Sequence, residues 1–172
     1  VKKMTAIKTE KATFAGGCFW CIEGPFEKID GVISAVVGYT GGHLDDPSYE
    51  DVTSGDTGHL EAVQVEFDPD KVSYETLVEV FWRQIDPTDE GGQFADRGTQ
   101  YATAIFYHDE NQKQTAEMSK ERLGKLGVFN RPIATAIRQA EKFYPAEDYH
   151  QDYYKKNPAR YSAYKAASGR TG

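Results

Sequence analysis

Cys18 and Cys21 are the two thiols of a chain of 172 residues, and they stand three positions apart. A C-x-x-C pair suits reversible redox chemistry or half of a metal site. Cys18 follows Gly16-Gly17, where a strand-like pattern gives way to a helical one. A thiol at a helix start meets free backbone N–H groups and the positive end of the dipole. Both lower its pKa and favour a nucleophilic thiolate at neutral pH. The two glycines permit a tight turn that leaves the sulfur accessible. Cys21 lies on a neighbouring position of the first helical turn, so a sulfenic acid or mixed disulfide on Cys18 has an internal resolving partner. The intervening Phe19 and Trp20 are large aromatics and suggest a site for something apolar.

Other readings of the same residues stay open. Cys18 can be a small buried hydrophobe. A structural zinc site would draw further ligands from His43, His59, His108 and His150, but no two of these have the close spacing of a zinc hairpin. A general thiol–disulfide oxidoreductase needs only the two thiols. A non-catalytic domain could bind something apolar through Phe19 and Trp20.

The elements that must position these residues follow from periodicity. Strands are expected at Lys11 to Ala15, Val32 to Tyr39, Leu60 to Phe67, Tyr101 to Tyr107 and Ile133 to Gln139. Helices are expected at Cys18 to Ile29, Ser73 to Ile85 and Asn111 to Leu126. Pro25 should distort the first of these or delay its start. Ser73 can cap the second, with Thr76 where a full capping box would have Glu. Gly41 to Gly58 and Asp86 to Gln100 read as long loops, the usual seat of function. Phe143 to Tyr164, rich in tyrosine and charge, should hold one or two short helices. This alternation predicts an α+β fold: a layered sandwich with a mixed central sheet, a split β-α-β-like core, long irregular loops and a C-terminal tail. Strand order does not follow from the pattern.

The composition, 39% hydrophobic and 13% aromatic, predicts one globular domain over residues 1–172, with its core at about 11–160. Net charge is −7, with 27 acidic and 20 basic residues and no dense basic block. That argues against nucleic-acid or anionic-membrane partners. No run approaches the roughly eighteen apolar residues of a membrane span. Val1 to Glu10 is polar, with three lysines, and lacks the apolar core of a signal peptide. A cytoplasmic monomer is expected.

Gly17-Cys18-Phe19-Trp20, the first of several ordered segments, looks like the GCFW signature of the methionine sulfoxide reductase A family. Gly41-Gly42, Pro47, Tyr49 and Gly58-His59-Leu60-Glu61 are similar to its GG…PxY…TGHxE segment. Asp86-Pro87-Thr88 and Asp96-Arg97-Gly98-Thr99-Gln100-Tyr101 are similar to DPT…DxGTQY, and Phe143 to Gln151 to FYxAEDYHQ. The resemblance implies reduction of the S epimer of methionine sulfoxide, free or in proteins. It implies an α+β fold with a mixed sheet, no metal or organic cofactor, and thioredoxin as reductant. Methionine sulfoxide is itself an oxidative lesion that reductases of this kind reverse.

Carried over by position, the resemblance makes Cys18 the nucleophile and Glu61 the acid. Tyr49 and Tyr101 would hydrogen-bond the sulfoxide oxygen. Phe19 and Trp20 would wall the methyl pocket, and Asp96 would support the site. His150 is taken as structural. On its own, Glu61 reads as a solvent-facing strand position, Asp96 as a turn aspartate, and Phe19 and Trp20 as core aromatics. Two departures matter. Cys21 stands where the family usually has Gly, and no cysteine lies near the C-terminus, so Cys21 is the expected resolving thiol. Ala95 stands where the family usually has Asn.

Overall fold

The computed structural model describes residues 8–17, 19–89, 92–93, 96–127, 129, 131–156 and 159. Cys18, the expected nucleophile, lies outside the described residues. The sheet strands are β1 (Glu10–Gly16), β2 (Val32–Thr40), β3 (Leu60–Phe67), β6 (Thr103–Tyr107), β7 (Ala136–Gln139) and β8 (Tyr144–Pro145). Two-residue strands β4 (Gly92–Gln93) and β5 (Asp96–Arg97) pair with each other in the second long loop. The helices are α1 (Phe19–Glu27), α2 (Tyr49–Thr53), α3 (Tyr74–Gln84), α4 (Glu110–Lys125) and α5 (Tyr153–Lys156).

The sheet order is β7-β6-β1-β3-β2-β8. All neighbours are antiparallel except β6 and β7. The sheet is therefore mixed, as expected. β1, α1 and β2 form a split β-α-β unit, because β3 inserts between β1 and β2 and runs against both. The parallel pair β6 and β7 is joined through α4, the crossover that a parallel connection requires.

Both faces of β3 are covered. Val63, Val65 and Phe67 belong to the large core shared with α1 and α3. Leu60 and Ala62, on the alternate face, join a smaller cluster with Ala15, Ala104 and Phe106. At the centre of the large core, the Phe14 ring stacks on Phe26 at 5.0 Å and on Phe81 at 5.1 Å. These contacts clamp α1 and α3 onto β1. Trp82 donates its indole N–H to Ser119 Oγ at 2.8 Å, tying α3 to α4.

Several expectations needed adjustment. The loop at Gly41 to Gly58 contains α2, a five-residue helix closed by a Ser48–Asp51 capping box. The strand expected at Tyr101 begins at Thr103, because Thr99–Tyr101 is a 3-10 turn. The strand expected at Ile133 begins at Ala136. α1 does run through Pro25, which has no N–H to offer the Cys21 carbonyl. Ser73 caps α3 by accepting from the Thr76 amide at 3.1 Å, without a full capping box. Among the described residues, no helix is long and apolar enough to cross a membrane.

Candidate active site

The strand-to-helix turn is built as the sequence requires. Gly17 takes a φ of 88°, a left-handed value that costs glycine little. It swings the chain out of β1 toward α1. Phe19 opens α1, and its backbone N–H is one of the donors a helix start leaves without an intrahelical acceptor. It donates to Oε1 of Glu61 at 3.3 Å. Glu61 is 1% exposed, not the solvent-facing position that alternation alone suggests. The reason is its strand: β3 lies inside the sheet, and Glu61 shares the face of Val63 and Val65 beneath α1.

Around this contact lies an aromatic shell. The Phe19 side chain is fully buried. Its ring lies 5.7 Å from Tyr39, 6.3 Å from Trp20 and 5.1 Å from His150. Tyr39 is the β2 register partner of Glu61. Its hydroxyl donates to Glu147 Oε1 at 2.9 Å, while the Tyr49 amide donates to Glu147 Oε2 at 3.1 Å. One carboxylate thus joins β2 to the start of α2. Burial pulls the Glu147 carboxyl upward, but bonds from its own amide, the Tyr49 amide and the Tyr39 hydroxyl outweigh this and leave it below the ordinary carboxylate range. The Tyr39 hydroxyl is driven well above its ordinary value by burial, then by Glu147 and Glu61.

His150 sits at the centre of this shell, 1% exposed. Tyr49 packs on its ring at 4.5 Å, and Trp20 donates its indole N–H to Nδ1 at 3.0 Å. Phe19, Trp20, Glu61 and Tyr49 are therefore brought together, with His150 and Tyr39 as the links between them.

The loop carrying Tyr49 is anchored at Gly42. Its N–H donates to His59 Nδ1 at 3.1 Å, and His59 Nε2 meets the Leu44 carbonyl at 2.7 Å. Both ring nitrogens of His59 are thus engaged by this loop. A Cβ on Gly42 would lie 2.3 Å from the His59 nitrogen and 2.4 Å from the Thr57 oxygen.

Tyr101 ends the 3-10 turn, is half-buried and packs against the large core beside β3. The second loop is held by Gln93, fully buried, whose carboxamide accepts from the Asp86 amide at 2.6 Å and donates to the Asp86 carbonyl at 2.7 Å. Asp96 pairs with Gln93 through β5, and its side chain lies outside the described part. Cys21 is in the first turn of α1, 1% exposed. Its sulfur belongs to the core cluster, on the same helix as Ile22 and Phe26.

Sequence reasoning passed over Tyr39, Glu147 and the central place of His150. Tyr39 is one tyrosine of eleven, and only its register with Glu61 marks it. Glu147 and His150 lie within the Phe143 to Gln151 segment, whose position over the site is a matter of tertiary folding.

Residues 10–172 match the model of a family described as peptide methionine sulfoxide reductase. The peptide methionine sulfoxide reductase MsrA of Bacillus licheniformis is 59% identical over 167 residues, which is 97% of this chain and 92% of that protein. Mxr1 from Saccharomyces cerevisiae in reduced form superposes with a TM-score of 0.81 at 37% identity, covering 91% of this chain and 90% of that one. The same yeast protein in complex with Trx2 superposes with a TM-score of 0.57 at 28% identity, covering 88% of this chain and 89% of that one.

Proposed function

This chain belongs to the peptide methionine sulfoxide reductase family and reduces methionine sulfoxide, and from that premise we propose how its own residues divide the work. Cys18 is the nucleophile. The sulfoxide oxygen cannot leave as an oxide dianion, so it needs a proton donor. Glu61 is that donor: burial disfavours a carboxylate and favours the neutral acid. Tyr49 and Tyr101 hydrogen-bond the oxygen, Phe19 and Trp20 enclose the methyl group, and Asp96 supports the site. The preferred substrate is the S epimer, in proteins and as the free amino acid.

The cycle balances in three steps. Cys18 attacks the sulfoxide and takes its oxygen, so the thiol becomes a sulfenic acid and the sulfoxide becomes methionine. The Cys21 thiol then attacks the sulfenic sulfur, forming a Cys18–Cys21 disulfide and releasing water. A dithiol donor reduces that disulfide and is itself oxidised. Thioredoxin fits this last role, and the yeast relative solved with Trx2 supports it. Electrons come from thiols, so the reaction needs no metal or organic cofactor. A monomer in the reducing cytoplasm, where such donors are kept reduced, suits this cycle.

One observation supports this reading above the rest: the bond from the Phe19 amide to Glu61. It puts a buried acid against the residue that follows Cys18. The test is product formation from separate S and R epimers with dithiothreitol, for the wild type, Cys18→Ser and Glu61→Gln. Turnover of the S epimer alone, abolished by Cys18→Ser and crippled by Glu61→Gln, is expected. Undiminished turnover by Glu61→Gln would remove the acid from the scheme.

A further inference from the structure

Trp20 and His150 are 130 positions apart in the chain and share one hydrogen bond. An indole N–H can only donate, so the Nδ1 that receives it carries a lone pair. The proton of the neutral ring is then on Nε2. Nε2 is buried, with no hydrogen-bond partner among the described residues. Among the described residues, the polar contact of this imidazole is therefore the one with Trp20. Aromatic rings hold it in place: Phe19 at 5.1 Å, Trp20 at 5.4 Å, Tyr49 at 4.5 Å and Tyr149 at 4.0 Å between centroids.

We propose that His150 is a positioning residue whose neutral Nδ1 fixes the Trp20 indole as a wall of the methyl pocket, and that protonation of His150 releases this wall and weakens sulfoxide binding. This rests on the role given to Trp20 above. An imidazolium would carry a hydrogen on Nδ1, opposed to the indole N–H, and the two donors would repel.

The groups around the ring set the direction of the response. Burial lowers the His150 pKa below 6.5, while the carboxylates of Glu147 and of Glu50 in α2 pull it back up. Tyr49 of α2 and the neighbouring Tyr149 contribute neutral phenols. Phe19 and Trp20 of α1 carry no charge, and the Tyr39 hydroxyl of β2 is taken by Glu147. The neutral ring thus prevails at neutral pH. Its bond to Trp20 is lost as the pH falls through a value below that of ordinary histidine.

The experiment follows the Trp20 indole ¹H–¹⁵N resonance, assigned by its loss in Trp20→Phe, from neutral to mildly acidic pH. It also measures KM and kcat for a methionine sulfoxide substrate. In the wild type the resonance should shift in one transition below pH 6.5. In His150→Phe, which keeps the ring packing and loses the acceptor, the resonance should be displaced and no longer titrate. KM should then rise roughly three- to tenfold, with kcat within about twofold. His150→Asn puts a carboxamide oxygen two bonds from Cβ, where Nδ1 stood. It should recover most of the KM without titrating.

An indole resonance indifferent both to pH and to His150→Phe would overturn the proposal, as would an unchanged KM in that variant. If His150→Phe fails to fold, the wild-type titration decides. A wild type that turns over no sulfoxide counts against the pocket reading, while the titration still tests the hold of His150 on Trp20.

Discussion

The backbone N–H of Phe19 and the carboxyl of Glu61 meet at 3.3 Å across 42 positions of sequence. The helix that begins after Cys18 is thereby anchored to the buried acid of β3. Replacing that acid separates anchoring from proton donation. Glu61→Gln keeps an oxygen for the Phe19 amide but has no acidic proton. Sulfoxide reduction should fall at least about a hundredfold, while thermal stability changes by less than about 1 kcal/mol. Steady-state kinetics and a melting curve on the same sample check both. Disulfide exchange should survive, which distinguishes this enzyme from a general thiol–disulfide oxidoreductase.

Cys21 lies too deep to be a bystander thiol at the surface, and the proposed cycle gives it one step. Cys21→Ser should still release one methionine per enzyme in a single turnover. Its turnover with thioredoxin should drop by about tenfold or more, because the sulfenic acid is left without its internal partner. Intact mass should then show one added oxygen on Cys18. Full thioredoxin-driven turnover in this variant would mean that an outside thiol resolves the intermediate.

Glu147 joins Tyr39 to Tyr49, and its carboxyl is held below the ordinary carboxylate range. A carboxylate with a depressed folded pKa stabilises the fold above its unfolded pKa. That contribution is lost as pH falls through the folded value. The melting temperature should therefore decline on acidification below the usual carboxylate range, and Glu147→Gln should flatten the part due to this residue. Tyr39→Phe removes one of the bonds to Glu147 and should cost about 1 kcal/mol.

Gly42 lies close against the backbone on either side of Gly58. With a Cβ only 2.3 Å from the His59 nitrogen, Gly42→Ala should destabilise by about 2 kcal/mol. KM should rise too, because the displaced loop carries Tyr49. Thermal melting and kinetics check the two effects separately.

The sequence made the sheet strands easiest to read where they alternate over a long stretch. β3 begins and ends where its pattern does. β8, only two residues long, has no pattern of its own and exists because Gly38 and Tyr39 offer it partners. α2 was read as loop, because its five residues carry too little periodicity to outweigh Pro47 and the glycines around them. Cys18, Cys21 and the aromatic pair announced themselves by type and spacing. Glu61 needed the resemblance, because burial on both faces of an interior strand cannot be seen from that strand alone. His150 and Glu147 were hidden for the same reason. Their partners Trp20, Tyr39 and Tyr49 are distant in sequence, and only folding brings them together.

Pro25 gives the redox centre an opening of its own. In α1 the carbonyls of Phe19 and Trp20 can be reached by the amides of Glu23 and Gly24, but the Cys21 carbonyl has no amide at Pro25 to meet. The helix ladder is one rung short beside Cys21, in the segment that would rearrange to close the proposed Cys18–Cys21 disulfide. In hydrogen-exchange terms, the amides from Phe19 to Cys21 should open far more often than those of β1 and β3, without unfolding the domain. Each catalytic cycle can then borrow a small local fluctuation and leave the sheet undisturbed.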